Sequence, residues 1–202
     1  MRYAIIGFGP VGQALARAFA RRNLDVAVAT TRDPQSFAAT AAAIGPTVKA
    51  TTLAQAIEAD ILFLAVRFEA HAAVARALSD WQGKIIVDVT NGYGVPPEAL
   101  GGLTPAGFVA KAFPGGQLVK GFNHLGASVL AQDPAVHGGR RVVFLAGDDD
   151  AATTQIAALA DTLGFAPMPL GKLSEGGALV QGVGNRWGPL IFKDLVSFNV
   201  NR

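Results

Sequence analysis

Residues Tyr3-Ala4-Ile5-Ile6-Gly7-Phe8-Gly9-Pro10-Val11-Gly12 decide the fold: an apolar run of strand length passes directly into G-x-G-x-x-G, and a segment with helical spacing follows. Gly7 permits the tight turn, Gly9 lets the backbone approach a pyrophosphate, and Gly12 lets the helix lie against the strand. The helix is expected over about residues 10–22, with Val11, Leu15, Ala18 and Phe19 on one face and Asn23 as its stop. Pro10 suits the first helical turn but has no N–H, so donors for an anion must come from neighbours such as Val11. Arg21 and Arg22 close the helix, where cations suit the negative end of its dipole.

Outward from this unit, short apolar runs alternate with alanine-rich segments of helical spacing, the pattern of repeated βαβ units. Strands are expected at about 2–6, 25–29, 47–50, 61–66, 84–89, 117–122, 141–146 and 165–169. Runs such as Ile61-Leu62-Phe63-Leu64-Ala65-Val66 are continuous rather than alternating, as expected when helices cover both faces of a parallel sheet. The fold class is therefore α/β, a Rossmann-type doubly wound, mostly parallel sheet. A helix is expected over about 151–163, with Asp148-Asp149-Asp150 as its cap and acidic first turn rather than a metal site. With no internal repeat or low-complexity linker, residues 1–202 are expected to form one dinucleotide-binding domain, its core about 1–170 with a C-terminal segment 171–202.

Composition narrows the function. Half of the 202 residues are hydrophobic, enough to fill a core. The absence of cysteine removes disulfides, thiolate nucleophiles and Cys-based metal centres. No apolar stretch approaches the roughly 20 residues that span a bilayer, and the N-terminus enters a strand at once, so a soluble, cytoplasmic protein without membrane contact is expected. The formal charge is only +2 with 16% charged residues, so nucleic acid is not an expected partner. Positive charge is concentrated early: Arg2, Arg17, Arg21, Arg22 and Arg32 face only Asp25 within the first 32 residues.

The end of the second strand selects the cofactor. NAD-binding units place Asp or Glu there to hold the ribose hydroxyls. Here Val28-Ala29 leads to Thr30-Thr31-Arg32, so a guanidinium with two hydroxyls replaces the carboxylate and can pair with a 2′-phosphate, which favours NADP. Arg32 read instead as a solvated loop residue, neutralised by Asp33, is the competing account. Later strand ends present Val66-Arg67-Phe68, Asp88-Val89-Thr90-Asn91-Gly92 and Phe122-Asn123-His124-Leu125-Gly126. Asp88 inside an apolar strand reads equally as a buried, satisfied acid or as a functional one. His124 is the histidine expected on this rim and the candidate catalytic acid, whereas His71 falls on a helix and His137 in a glycine-rich turn.

The glycine motif, Thr30-Thr31-Arg32, Asp88-Val89-Thr90-Asn91, Gly121-Phe122-Asn123 and Arg141-Val142-Val143-Phe144-Leu145-Ala146-Gly147-Asp148-Asp149 together resemble, in the same order, the NADP oxidoreductases dependent on coenzyme F420 and their wider group of dinucleotide-binding reductases. The resemblance implies hydride passage between nicotinamide and a deazaflavin ring. It also implies that Thr31 and Arg32 hold the 2′-phosphate and that Val66, Arg67 and Asn91 lie near the nicotinamide, with Asn123 counted among the cofactor residues. Two departures fall on the acceptor side: Arg67 stands where the family usually has proline, and Gly92-Tyr93 follows Asn91 in place of another proline.

The expected activity is thus NADP(H)-dependent hydride transfer to a deazaflavin (coenzyme F420), a flavin or another small acceptor. Proximity and orientation matter more to such a step than acids or bases. The rivals are reduction of a small carbonyl or imine, with His124 or Tyr93 as proton donor, and a non-catalytic NADP sensor whose glycine-rich C-terminus docks on a partner. Trp187, Phe192 and Phe198 point to C-terminal packing on the sheet or on a second subunit, which would make a homodimer.

Overall fold

The alternation of strands and helices is realised in a computed structural model whose described residues are 1–181 and 196–198. Strands β1 (Tyr3–Ile6), β2 (Val26–Ala29), β3 (Val48–Ala50), β4 (Ile61–Leu64), β5 (Ile85–Asp88) and β6 (Gln117–Gly121) run parallel in the order β3-β2-β1-β4-β5-β6. Helices α1 (Pro10–Arg21), α2 (Gln35–Ile44), α3 (Leu53–Ala56), α4 (His71–Ala75) and α5 (Pro105–Ala112) connect them. Chain order reverses on either side of β1, and this switch point opens a crevice at the carboxyl ends of the strands.

Two core layers explain the continuous apolar runs. Ile5, Val28, Phe63, Val87 and Val119 pack under α1 and α2, while Ala4, Ile6, Leu64, Ile86 and Leu118 pack under α3, α4 and α5. Alternate residues of each strand thus serve opposite layers, so both faces are predominantly apolar. Helix α1 buries Leu15 and Phe19, and Phe19 meets Phe63 edge to face at 5.6 Å. Alanines at 14, 16 and 18 let the helix approach the sheet closely. It stops where expected: Asn23 takes a left-handed φ of 53°, and Leu24 N–H donates to the Phe19 carbonyl, a Schellman closure.

The second half differs from a purely parallel sheet. After the one-turn α6 (Ala127–Leu130), β7 (Ala135–Val136) and β8 (Gly139–Gly147) form a hairpin. His137 and Gly138 supply its two positive-φ positions, the geometry that matches strand twist in a two-residue turn. Strand β8 therefore returns antiparallel to β6, with Lys120 opposite Ala146. Helix α7 (Asp150–Thr162) then leads to β9 (Ala166–Pro169), parallel to β8. The Asp149 side chain caps α7 by accepting from Ala152 N at 2.7 Å, and Asp150 pairs with Lys172 at 2.8 Å, so this acidic triplet is engaged as a helix start. The short α8 (Gly176–Leu179) follows, and the backbone of β10 (Val196–Phe198) pairs antiparallel with the start of β8. Trp187 and Phe192 lie outside the described residues, as does the side chain of Phe198. Among the described residues no helix is long and apolar enough to cross a membrane.

Candidate functional site

The site grows from the β1–α1 junction. Gly7 has φ of 102°, and a Cβ there would strike the Ala65 carbonyl; a Cβ on Gly12 would strike the Gly7 carbonyl. Both glycines are dictated by packing of the chain on itself. Gly9 is different: its φ of −75° is ordinary, and a Cβ on it would meet nothing within 4 Å. The open space it faces adjoins the N-terminus of α1, which begins at Pro10 and points backbone donors outward. The protein's own packing gives no reason for glycine at this position, whereas an anion close to the helix start does. Phe8 is buried against Phe37, ring centroids 5.7 Å apart, and serves the core.

At the end of β2 the Arg32 guanidinium lies over the Phe37 ring, 5.7 Å from its centroid. The local turn is fixed by Arg32 N–H donating to Thr30 Oγ1 at 3.0 Å. Asp33 is committed elsewhere, since its Oδ1 accepts from Gln35 N at 2.8 Å at the start of α2. No ion pair engages Arg32 among the described residues. Gly7, Gly9, Thr30, Thr31, Arg32, Val66 and Arg67 line one cavity of about 400 Å³. Glycine turn and guanidinium therefore open on the same space.

Val66 and Arg67 also line a second cavity, of about 380 Å³, with Val11, Thr90, Asn91 and Tyr93. Val11, Val89, Asn91 and Tyr93 in turn border a third, of about 410 Å³, which Phe122, Asn123 and His124 help enclose. Shared walls make the three a single trough along the carboxyl ends of β2, β1, β4, β5 and β6. Every residue expected at the site, Phe8 included, lies on this trough or, like Pro10 and Gly12, in the turn and first helical residues beneath it.

At the far end two asparagines are locked together. Asn91 Nδ2 donates to the Asn123 carbonyl at 2.9 Å, while Asn123 Nδ2 donates to Asn91 Oδ1 at 3.0 Å and to the Val180 carbonyl at 2.9 Å. Beneath them lies an ion pair absent from the sequence-based expectation: Lys120 Nζ is 3.0 Å from Asp88 Oδ2, with both side chains fully buried. Lys120 also donates to the Thr90 carbonyl, and Asp88 Oδ1 accepts from Thr90 N at 2.9 Å. Burial pushes the lysine pKa down, opposed by the charge and hydrogen bond of Asp88. The register that sets Asp88 beside Lys120 is the signal that could have found the pair.

His124 is buried, with its ring against Phe144 at 5.0 Å and its Nε2 3.2 Å from the Val142 carbonyl. A carbonyl only accepts, so Nε2 carries the proton and Nδ1 does not. Burial pushes the pKa down to about 4; the Val142 hydrogen bond opposes this and the Lys120 charge adds to it. Near neutral pH the ring is uncharged, and its one N–H is spent on the backbone.

The family model described as "NADP oxidoreductase coenzyme F420-dependent" matches residues 2–92. A hypothetical protein from Sinorhizobium meliloti, solved by crystallography, is 37% identical and superposes with a TM-score of 0.86, covering 98% of this chain and 95% of its own. A provisionally assigned F420-dependent NADP-reductase from an Arthrobacter species is 28% identical, with a TM-score of 0.72 and full coverage of both chains. The metalloreductase STEAP3 of Rattus norvegicus is 28% identical over 86% of this chain and 34% of its own length. The chain thus spans about a third or less of the curated relatives it matches.

Proposed function

We propose that the chain, whose residues 2–92 match the model of the NADP oxidoreductase, coenzyme F420-dependent family, belongs to that family, and on that premise that it is an NADP(H)-dependent oxidoreductase whose trough aligns the nicotinamide with a planar acceptor, a deazaflavin or flavin. The observation that carries the reading is the guanidinium of Arg32, stacked on Phe37 and free of ion pairs among the described residues, opening on the same cavity as Gly7 and Gly9. The residues fit the dinucleotide: Gly9 leaves room for a pyrophosphate at the start of α1, and Thr31 with Arg32 would hold a 2′-phosphate. Val66, Arg67, Asn91 and Asn123 would border the nicotinamide end.

NADPH supplies the hydride when bound. The chain's part is placement and exclusion of water. Val11, Val89, Phe122 and Leu125 give the third cavity an apolar wall, and exposed Tyr93 stands at its rim as a surface for a flat ring. His124 shapes that wall and delivers no proton, because its N–H is held by Val142. This weighs against reduction of a small carbonyl or imine with His124 as donor. In titrations followed by fluorescence, NADPH is expected to bind at least tenfold tighter than NADH. Loss of a charge-assisted contact to the 2′-phosphate removes about 1.5–3 kcal/mol. Equal affinities would overturn the assignment of Arg32. Stopped-flow oxidation of NADPH against a panel of deazaflavin, flavin and ferric acceptors then identifies the partner. Tight binding without turnover on any of them would support the sensor instead.

A further inference from the structure

We infer that the buried Lys120–Asp88 pair is a positioning device that holds Asn91 and Asn123 in place for the nicotinamide end of the trough; this rests on the NADP reading above. Asp88 is the last residue of β5, and Lys120 stands beside it on β6. Between them they take both backbone groups of Thr90: Asp88 Oδ1 accepts its N–H and Lys120 Nζ donates to its carbonyl. The last ladder bond of β5 is made one residue earlier, by Val89 N–H to the Leu64 carbonyl. The ion pair thus continues the work of the sheet after the sheet has ended, fixing the peptide that carries Asn91. On the other strand, Asn123 follows Lys120 by three residues and closes the second rung through its reciprocal bonds with Asn91. Two polar rungs therefore tie the loop after β5 to the loop after β6.

Stability alone does not account for the ion pair. Both side chains are fully buried, and two buried charges lose hydration that an apolar pair of similar volume would not. Nor does the pair stand in the trough, since neither residue lines any of its three cavities. What it supplies that apolar side chains cannot is directional bonding to Thr90.

The test separates anchoring of the nicotinamide from anchoring of the 2′-phosphate. The double variant Asp88→Val/Lys120→Met removes both charges together, so no lone buried charge is left to unfold the protein. Its Kd for NADPH is expected to rise at least tenfold. Its Kd for adenosine 2′,5′-bisphosphate, which lacks the nicotinamide, should stay within about twofold of the parent. NADPH affinity within twofold of the parent, or an equal loss of both ligands, overturns the inference. If the double variant fails to melt cooperatively, Asp88→Asn/Lys120→Met decides: both charges again go together, the near-isosteric amide keeps an acceptor for Thr90 N–H while the bond to the Thr90 carbonyl is lost, and NADPH should weaken at least threefold with the bisphosphate unchanged. Unchanged NADPH affinity there overturns it equally. Failure of the unmodified protein to bind the bisphosphate would instead refute the NADP reading itself.

Discussion

Replacing Gly9 by alanine should separate the glycine that serves the ligand from those that serve the fold. The backbone at Gly9 is in an ordinary extended conformation, and the new methyl would meet no protein atom within 4 Å. In the apoprotein, alanine restricts the unfolded chain, a gain of about 0.4–1 kcal/mol. It is also a poorer N-cap than glycine, which offsets much of that gain. Apoprotein stability should therefore change by less than about 1 kcal/mol. In the complex the methyl occupies space next to the helix start where a pyrophosphate would sit. An extra methyl in a filled site costs about 1–3 kcal/mol, equivalent to roughly 5- to 150-fold in Kd. Differential scanning fluorimetry with and without NADPH reads both quantities. At about 100 times Kd the unmodified protein gains about 2.7 kcal/mol, or roughly 5–11 °C for a chain of this size. A tenfold weaker variant at the same concentration gains about half as much. Gly7→Ala is the control: with φ of 102° and its Cβ against the Ala65 carbonyl, it should cost the apoprotein about 2 kcal/mol or more. A Gly9→Ala protein that binds NADPH like its parent would refute the placement of the pyrophosphate.

Acid should expose the buried histidine. The folded-state pKa of His124 is depressed to about 4 from an unfolded value of 6.5. Its contribution is therefore fully present above about pH 6.5 and is lost as pH falls through 4, because the unfolded chain binds the proton first. Urea melts at pH 7 and 4.5 should show the parent losing about 2–3 kcal/mol more than His124→Gln. Equal losses in the two proteins would mean that the ring is not held neutral. Phe37→Leu keeps core volume but removes the ring beneath Arg32; a contact of about 0.5–1 kcal/mol predicts a two- to fivefold fall in the NADPH to NADH affinity ratio. An unchanged ratio would show that the guanidinium does not depend on that platform.

Sequence reading served best where one stretch of chain carries the whole device. The turn from Gly7 to Gly12 and the strand end from Thr30 to Arg32 were legible because their geometry is local. The eight expected strands appear close to their expected bounds, although Ala65 and Val66 leave the sheet, Val66 lining the trough. An apolar run carries no direction, so the return of β8 antiparallel to β6 was not legible. The hairpin that reverses it rests on the positive φ of His137 and Gly138 and on a two-residue strand too short to register as a pattern. Asp88 stood out as an acid in an apolar strand, but its partner Lys120 is found only once β5 and β6 are set in register. Asn91 and Asn123 meet for the same reason. His124 was placed correctly on the rim, yet its proton depends on burial and on Val142, neither of which its sequence neighbours reveal.

The trough's two ends differ in charge in a way that suits one kind of chemistry. At the β2 end Arg32 is exposed, unopposed among the described ion pairs, and meets solvent beside two threonines. An exposed cation retains its hydration until an anion replaces it, so this end recognises phosphate and its affinity should fall with salt. At the β5–β6 end Lys120 and Asp88 cancel, His124 is neutral, and Asn91 and Asn123 present amides. A proton donor there would have to reach the acceptor, yet the His124 N–H is held by Val142 and neither Lys120 nor Asp88 lines the trough. Hydride passage between two flat rings changes charge on the rings themselves and asks the protein for distance and orientation. At the β5–β6 cavity, whose lining holds no Lys, Arg, Asp or Glu, a wall fixed by paired amides and an internally compensated ion pair provides that without competing for the proton. If an acceptor that must be protonated in the same step turned over rapidly, its donor would have to be the Tyr93 hydroxyl, solvent or the acceptor's own group, and loss of rate in Tyr93→Phe would identify the first of these.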